Sequence, residues 1–443
     1  MKEVAEGAGR AQGMVDYLLL GGGLAAATAA EALRQRDRAA SIIIVSGDTA
    51  YPYHRPPLSK EYLRGEIGTE GTYGAGGIYV QPLDWYESQH VEVLRGANAA
   101  ALAAESRSVL LANGMTLHYR ALLLATGGRA RRLPIPGAHL PGVHTLRSLA
   151  DADALRAELS APGRRLVVIG SRFIGLEVAA SAIMKGAYVT LVDATPRLWR
   201  GLMPPALSAY FQDYFTAHGA VPRLGHAPVA LLAGAGGRVG AVRIAPMQGG
   251  STWEDIRCDV VVVGIDIDLN TELAAEAGLA LGERRAVLVD DRMQTSVPEI
   301  FAAGDIVTYP DPLAGWMHFE HWDHAVASGQ AAAANMTGAT AFYHHVPYYF
   351  SDQFDLAITM LGYPFPNAQV VLRGSLADNA FSALYVYENR LVAALLVNDA
   401  SQLDLLRDLI AAGPQVPGNP LVLGDQAFEL ASLRPSRTPP ALP

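Results

Sequence analysis

Two glycine-rich segments stand about one domain apart in this chain, and both have the residue spacing that binds the pyrophosphate of a dinucleotide. Tyr17–Ala26 reads YLLLGGGLAA, and Leu166–Gly175 reads LVVIGSRFIG. In each segment an apolar run predicts a buried strand that turns directly into a helix, whose N-terminal N–H groups stabilise phosphate charge. Two such segments predict two dinucleotides in one protein, and therefore electron transfer from one to the other.

A carboxylate follows each segment where the next strand is expected to end. Asp48 comes shortly after a β-rich run, and Asp193 ends another. At this position a carboxylate accepts hydrogen bonds from a ribose 2′-hydroxyl and disfavours a 2′-phosphate. Asp193 therefore favours NADH over NADPH, and the nearby Arg197 and Arg200 soften that preference.

Arg172 departs from the pattern, because it stands where the second segment would have its middle glycine. Glycine at this position lets the backbone approach the pyrophosphate of the nucleotide. An arginine either crowds the phosphate or offers it a guanidinium group. We therefore expect the affinity for the nicotinamide nucleotide to depend on this side chain.

The composition is that of a globular α/β protein. The chain has 443 residues, of which 50% are hydrophobic and 17% charged, and its length allows two or three domains. A net charge of −9 argues against nucleic acid as a partner. No apolar stretch reaches the roughly 18 residues of a membrane span, and the first residues lack the apolar core of a secretory signal. We expect a soluble, cytoplasmic protein.

The single cysteine, Cys258, limits the redox chemistry. A redox-active cysteine pair cannot form, so any electron relay must do without a disulfide. Cys258 precedes the apolar run Val260–Val263, which predicts an inert packing residue. The histidines show no metal-ligand spacing, and we expect no metal site.

Six short segments, in this order along the chain, resemble the FAD-dependent pyridine nucleotide oxidoreductases, and best their ferredoxin and rubredoxin reductase branch. These segments are Gly21–Gly23, Arg55–Lys60, Ala125–Gly127, Phe173–Glu177, Ala302–Asp305 and Glu320–Trp322. The stretch Pro347–Gln353 is similar to the P-W-F-W-S-D-Q of the ferredoxin reductases. Glu320–Gly329, which contains E-H-x-D-H-A, looks more like the relatives of apoptosis-inducing factor.

The resemblance implies two Rossmann-like dinucleotide-binding domains, for FAD and NAD, and a C-terminal α+β domain with an antiparallel sheet. The implied boundaries are 14–148 and 268–338 for the FAD-binding domain, 149–267 for the NAD(H)-binding domain and 339–433 for the C-terminal domain, with flexible tails at 1–13 and 434–443. The cofactors implied are FAD and NADH.

The resemblance also implies which side chains contact the cofactors. Those expected on FAD are Gly21, Gly23, Leu24, Ala25, Asp48, Arg55, Lys60, Ala99, Ala125, Thr126, Gly127, Arg131, Gly304, Asp305, Glu320, His321, Trp322 and Phe350. Those expected on the nicotinamide nucleotide are Gly170, Arg172, Phe173, Ile174, Gly175, Asp193 and Gly264, while Glu177 is expected beside the flavin together with Lys60.

Four of these residues are implied to act in the reaction itself. Lys60 and Glu177 would meet beside the flavin N5, where the lysine stabilises negative charge and the glutamate keeps it paired. Phe173 would lie between flavin and nicotinamide and move when the nucleotide binds. Trp322 would sit beside the isoalloxazine ring.

The function implied is that of an NADH-dependent FAD reductase. NADH would pass a hydride to the flavin, and electrons would leave singly to a small [2Fe–2S] ferredoxin or a rubredoxin that docks near Trp322, Tyr349 or Phe350. One alternative is an oxidoreductase like apoptosis-inducing factor, with quinone or oxygen as acceptor. Another is a redox-sensing interaction protein that responds to NADH. Both a monomer and a homodimer remain open.

Overall fold

The computed structural model describes residues 14–248 and 252–434. The predicted tail 1–13 and all but the first residue of the predicted tail 434–443 lie outside the described residues. No helix in the described part of the chain is long and apolar enough to cross a bilayer.

Strands and helices alternate through most of the chain, and the last part is mainly strand. The strands are β1 (Met14–Leu20), β2 (Ile42–Ser46), β3 (Val91–Arg95), β4 (Ala99–Ala103), β5 (Ser108–Leu111), β6 (Thr116–Leu124), β7 (Gly128–Ala130), β8 (Val143–Thr145), β9 (Arg165–Ile169), β10 (Tyr188–Asp193), β11 (Val221–Leu224), β12 (His226–Ala233), β13 (Val239–Pro246), β14 (Glu254–Arg257), β15 (Val260–Val263), β16 (Ile267–Leu269), β17 (Val287–Leu288), β18 (Ile300–Ala302), β19 (Val307–Asp311), β20 (Gly315–Met317), β21 (Tyr348–Gln353), β22 (Leu356–Gly362), β23 (Gln369–Ser375), β24 (Ala380–Tyr387) and β25 (Arg390–Val397). The helices are α1 (Leu24–Arg36), α2 (Glu61–Arg64), α3 (Leu83–Ser88), α4 (Leu149–Glu158), α5 (Phe173–Met184), α6 (Pro205–Ala217), α7 (Glu272–Glu276), α8 (Trp322–Met336) and α9 (Leu403–Ala412).

The described residues divide into two compact units. The first contains the chain up to Pro57 together with Ile67–Arg129 and Ile267–His345. The second contains Leu58–Glu66, Ala130–Asp266 and the chain from Val346 onward.

The first unit is built on a sheet in which β1, β2, β3, β6 and β18 are parallel. The apolar run that ends at Leu20 is buried, as a strand covered on both faces must be. Helices α1 and α8 approach closely where Gly329 meets α1, because a Cβ on Gly329 would lie 2.5 Å from the Ala25 carbonyl oxygen. This approach fixes the first helix after the first glycine turn.

The second unit contains a five-stranded parallel sheet in the order β11-β10-β9-β15-β8, with α5 connecting β9 to β10. Strands β12, β13 and β14 form a separate antiparallel sheet. The C-terminal part forms a five-stranded antiparallel sheet in the order β21-β22-β25-β24-β23. Two Rossmann-like sheets and a C-terminal antiparallel sheet confirm the predicted fold class.

The amphipathic helix α9 closes the core of the C-terminal sheet. Leu406, Leu409 and Ile410 are buried on one side of this helix and pack against Leu396 and Leu384 of the sheet. The helix ends at Gly413, whose left-handed backbone (φ +56°) lets its N–H bond back to the Leu409 carbonyl. Helix α9 thus covers one face of the sheet. The side chains of the edge strand β21 contact other parts of the second unit.

Candidate functional site

The first glycine turn has the geometry of a pyrophosphate site. Gly21 has φ +128°, and a Cβ there would lie 2.0 Å from the Ala125 carbonyl oxygen, so no other residue fits. Helix α1 begins after Gly23, and no side chain caps its first N–H groups. Those N–H groups are therefore available to an anion, which the helix macrodipole also attracts.

A cleft of about 520 Å³ opens in front of this turn, within the first unit. The lining residues predicted for FAD are Gly21, Gly23, Asp48, Arg55, Ala99, Ala125, Thr126 and Gly127. The Arg55 guanidinium faces Gly23, where a Cβ would stand 3.4 Å from Nη1. This cleft fits the ADP half of FAD, because it offers uncapped N–H groups and an arginine to the phosphates, and Gly23 leaves room for them to approach.

Asp48 keeps part of its hydrogen-bonding capacity free for a ligand. Its Oδ1 accepts from the Ala50 N–H at 3.0 Å, and its Oδ2 accepts from the Tyr53 hydroxyl at 2.8 Å. A carboxylate has about four lone-pair positions, so capacity for ribose hydroxyls remains.

Other residues predicted for FAD lie elsewhere. Leu24 and Ala25 are buried in the first turn of α1, and Gly304 and Asp305 form a short 3₁₀ helix in which the Gly304 N–H donates to Ser328. Arg131 belongs to the second unit and pairs with Asp266 at 3.5 Å.

Trp322 begins α8 and is held by a histidine that no sequence motif singles out. Its Nε1 donates to His54 Nδ1 at 2.8 Å, so the neutral His54 ring carries its proton on Nε2. Tyr73 packs on His54 with ring centroids 5.0 Å apart. Burial lowers the pKa of His54 to about 4, which keeps the ring neutral and able to accept this bond.

The two residues before Trp322 have different environments. Glu320 is partly buried, and its Oε1 lies 2.9 Å from both Arg284 Nη2 and His318 Nε2. His321 is the N-cap of α8, in extended backbone conformation. Glu320 is therefore neutralised by protein groups of the first unit.

The second glycine turn has the same construction in the second unit. Gly170 has φ +111°, and a Cβ on Gly175 would lie 2.1 Å from the Gly170 carbonyl oxygen. Helix α5 begins at Phe173, and its N-cap residue Arg172 makes no side-chain cap. A pocket of about 350 Å³ lies before the turn. Its lining includes the predicted residues Gly170, Arg172, Asp193 and Gly264.

The Asp193 carboxylate accepts hydrogen bonds from neighbouring residues of the second unit. Its Oδ2 accepts from both the N–H and the hydroxyl of Ser171 at 2.7 Å, and its Oδ1 accepts from both the N–H and the hydroxyl of Thr195 at 2.7 Å. Arg172 and Arg200 are exposed in the same pocket. Ile174, also predicted to contact the nucleotide, is 39% exposed.

Phe173 lies in an aromatic row within the second unit. Its ring stacks on Tyr349 with centroids 6.0 Å apart and 3° between the planes, and it packs at a tilt against Trp199 at 5.3 Å. Trp199 has a left-handed backbone (φ +52°) and is buried in the wall of the pocket. Rings on both sides hold Phe173 at the start of α5.

Lys60 and Glu177 form an ion pair in the second unit, with Nζ 3.5 Å from Oε1 and side chains only 1% and 4% exposed. Lys60 also lies 3.9 Å from Asp352 and 5.0 Å from the centre of the Phe350 ring. Ser59 donates to Glu177 Oε2 at 2.5 Å. Ser351 donates to Oε1 at 2.7 Å.

Burial raises the pKa of Glu177, whereas Lys60 and the two hydroxyls lower it; desolvation is the largest of these effects. A buried charge is tolerated only with such partners. Ser351, Phe350 and Asp352 all come from β21, so one edge strand completes the environment of the pair. A side-chain network of this kind is what fixes a lysine head group in one place.

The cysteine and the potential metal ligands form no redox or metal site among the described residues. Cys258 packs in the apolar core beside Val261, and burial raises the pKa of its thiol to about 12. Among the described residues no cluster of His, Cys, Asp and Glu could hold a metal ion.

Two family models cover most of the chain. Residues 15–329 match the pyridine nucleotide-disulphide oxidoreductase model, and residues 348–434 match the reductase C-terminal model. The chain therefore belongs to the pyridine nucleotide-disulphide oxidoreductase family.

Individual relatives agree with the family. The chain is 37% identical to the ferredoxin--NAD(+) reductase component of the anthranilate 1,2-dioxygenase system of Burkholderia cepacia, over 92% of this chain and 97% of that protein. Its fold is similar to that of the ferredoxin reductase for the CYP199A2 system of Rhodopseudomonas palustris, with a TM-score of 0.86, 32% identity and coverage of 94% and 99%. It is equally similar to putidaredoxin reductase in its covalent complex with putidaredoxin, with a TM-score of 0.86, 31% identity and coverage of 95% and 98%.

These findings confirm the predicted enzyme class. The protein is an NAD(P)H-dependent flavoprotein reductase of the ferredoxin--NAD+ reductase type, and it uses FAD and NADH. A redox-active disulfide is excluded, since the sequence has one cysteine.

Proposed function

We propose that this chain is the reductase of a bacterial oxygenase system and passes electrons from NADH, through FAD, to a small [2Fe–2S] ferredoxin. The observation that carries the proposal is the single, buried cysteine. Enzymes of this family that act through a cysteine pair need a second thiol, which this chain lacks. Electrons must therefore leave directly to an external acceptor, and the names of the relatives are those of ferredoxin reductases.

We propose that the first dinucleotide cleft holds FAD and that the second pocket holds NADH. The first cleft is lined by residues of 14–148 and 268–338, the parts that the resemblance implies for FAD, and the second pocket is lined, apart from Leu133, by residues of 149–267, the part implied for NAD(H). Bound FAD supplies the chemistry that accepts a hydride and releases its electrons one at a time. The protein contributes binding, orientation and electrostatics.

The chain's own residues divide this work. The N-terminus of α1 and Arg55 bind the FAD phosphates, while the free lone pairs of Asp48 accept from the adenosine ribose. In the second pocket the N-terminus of α5 and Arg172 bind the phosphates of NADH. Lys60 provides a fixed positive charge, and Glu177 compensates that charge while the lysine is buried. Phe173 shields the nicotinamide subsite from water until the nucleotide enters.

Trp322 contributes a second fixed aromatic group. Its indole N–H is engaged by His54, so the ring plane is set before any ligand arrives. We propose that this indole supports the flavin ring and that Tyr349 and Phe350 mark the region where the acceptor docks.

The proposal is tested by stopped-flow kinetics on the FAD-loaded protein without oxygen. NADH should bleach the yellow absorbance, and a [2Fe–2S] ferredoxin from an oxygenase system should restore it within the same time range. A rubredoxin is the second acceptor to test, because the resemblance covers both. Matched reactions with a quinone and with oxygen supply the comparison.

Other outcomes would favour other functions. A long-lived charge-transfer band with NADH, together with slow reoxidation by every protein acceptor, would favour an oxidoreductase like apoptosis-inducing factor, whose E-H-x-D-H-A pattern recurs at Glu320–Ala325. No turnover with any acceptor, combined with a change of oligomeric state on adding NADH, would favour a redox-sensing interaction protein. Light scattering with and without NADH measures that state and decides between monomer and homodimer.

A further inference from the structure

Two carboxylates at equivalent positions of the two dinucleotide-binding sheets are not equivalent in hydrogen bonding. Asp48 accepts two hydrogen bonds within its own unit, one on each carboxylate oxygen. Asp193 accepts four, two on each oxygen. A carboxylate offers about four lone-pair positions, so Asp193 has no capacity left for a ribose hydroxyl.

The four donors to Asp193 come from two residues that flank it in space. Ser171 belongs to the glycine turn and gives both its N–H and its hydroxyl, and Thr195 follows β10 and gives the same two groups. The Thr195 hydroxyl also lies 3.1 Å from the Arg197 carbonyl oxygen, but its contact to Asp193 is the shorter at 2.7 Å. Four donors offset much of the negative charge that would repel a 2′-phosphate.

The same pocket carries an excess of positive charge. Of the residues that line it, Arg172 and Arg200 are cationic and Asp193 is anionic. Both arginine side chains are exposed, and neither forms an ion pair or side-chain hydrogen bond with any other residue that the structure describes. Arg200 belongs to the loop after β10, which is where a Rossmann fold places the arginine that accommodates a 2′-phosphate.

We infer, as an extension of the proposed reductase function on which it rests, that Arg200 rather than Asp193 sets selectivity at the adenosine 2′ position, so that the enzyme uses NADPH as well as NADH. Asp193 acts as a brace between the glycine turn and the following loop. NADPH would give the same hydride, two electrons with one hydrogen, and leave as NADP⁺. Two ferredoxin molecules would take one electron each, with release of one proton.

The first test compares kcat/KM for NADH and NADPH on the FAD-loaded protein at fixed ionic strength. In the wild-type enzyme the two values should agree within about tenfold, since a single hydrogen-bonding difference at one ribose position is of that size. Arg200→Ala should lower kcat/KM for NADPH by about tenfold or more and leave that for NADH within about twofold.

Two further variants separate the proposal from a general loss of charge or of fold. Arg197→Ala removes the same charge from the same loop, but Arg197 does not line the pocket, so the ratio of the two kcat/KM values should not change. Ser171→Ala removes one donor from Asp193 Oδ2. The freed lone pair should raise the preference for NADH by about fivefold.

Binding of nucleotide fragments gives a readout that does not depend on electron transfer. Calorimetry should show that adenosine 2′,5′-bisphosphate binds the FAD-loaded protein at least as tightly as 5′-AMP, and that Arg200→Ala abolishes the difference. A preference of more than about a hundredfold for NADH over NADPH, with 5′-AMP the tighter fragment, would overturn the inference. Failure to reduce ferredoxin while both nucleotides bleach the flavin would instead overturn the proposed function and leave this inference standing.

Discussion

Lys60 Nζ lies 3.5 Å from Glu177 Oε1 in the second unit, and both side chains are buried. The two residues are 117 positions apart in the chain, and the contact between them is completed by β21 of the C-terminal sheet. The C-terminal sheet therefore supplies the hydroxyl of Ser351 and the carboxylate of Asp352 that lie against this pair.

Glu177→Gln should destabilise the protein strongly. The substitution leaves Lys60 buried beside a neutral partner, and breaking a buried pair in this way costs about 3 kcal/mol or more. Glu66→Gln is the matched control, because Glu66 pairs with Arg64 at 2.6 Å but is 50% exposed. That exposed pair should cost less than about 1 kcal/mol. Urea unfolding of the two FAD-loaded variants measures the difference, and equal losses would contradict the assignment.

Ser351→Ala should change the titration of Glu177 rather than the fold. Its hydroxyl donates to Oε1 and lowers the pKa of this carboxyl, so without it the pKa rises further above the ordinary value. The pH profile of flavin reduction by NADH should shift towards higher pH. Ser375→Ala, which removes a half-buried hydroxyl of β23 that accepts from the Asp378 N–H, is the control. An unchanged profile in Ser351→Ala would mean that Glu177 does not influence the reaction.

Arg172→Gly should raise the KM for NADH by about tenfold, because a charge-assisted hydrogen bond to the phosphate is lost. Arg172 is the N-cap residue of α5 and lines the second pocket. The kcat should change by less than about twofold, since this contact is present both before and during hydride transfer. Steady-state kinetics with saturating ferredoxin measures both parameters. An unchanged KM would show that this side chain points away from the nucleotide.

The lowered pKa of His54 predicts that the protein becomes less stable in mild acid. Its pKa is lowered to about 4 in the folded protein from 6.5 when unfolded, because the ring is buried. As the pH falls below 6.5, His54 becomes protonated in the unfolded chain, whereas in the folded protein it stays neutral down to about pH 4. The stability contributed by the neutral ring is therefore fully present above pH 6.5 and declines by about 3 kcal/mol down to pH 4.

His54→Gln removes this titration and keeps an oxygen acceptor for the Trp322 indole. The free energy of unfolding of the variant should depend less on pH between 6.5 and 4 than that of the wild type. His118→Gln, at an exposed position, is the control and should follow the wild type. Identical pH dependence in all three proteins would show that the pKa of His54 is not lowered in the folded protein.

The sequence predicts the parts of the site that backbone geometry dictates. Gly21 and Gly170 are recognisable because positive φ and a close carbonyl oxygen exclude every side chain, so the residue type itself reports the turn. Lys60 and Glu177 are found by their resemblance to family motifs, not by spacing. The two glycine turns and the ion pair are therefore predictable from the amino-acid sequence.

Contacts between distant short polar residues leave no such pattern. Ser351 follows three aromatic residues on β21, and nothing in that sequence indicates that its hydroxyl reaches Glu177. The bond from Trp322 to His54 spans 268 positions. The one feature of the sequence that indicates hydrogen bonding to Asp193 is Ser171, which places a hydroxyl in the glycine turn.

We predict a route in which reducing equivalents enter from NADH and leave to an iron–sulfur protein without a thiol relay. Its most direct measurement is a single-turnover experiment on FAD-loaded protein without oxygen, in which one equivalent of NADH is followed by two equivalents of oxidised [2Fe–2S] ferredoxin. We predict that the flavin absorbance is bleached and then fully restored while both ferredoxin molecules are reduced. Flavin that stays oxidised with NADH, or stays reduced when ferredoxin is added, would contradict the account.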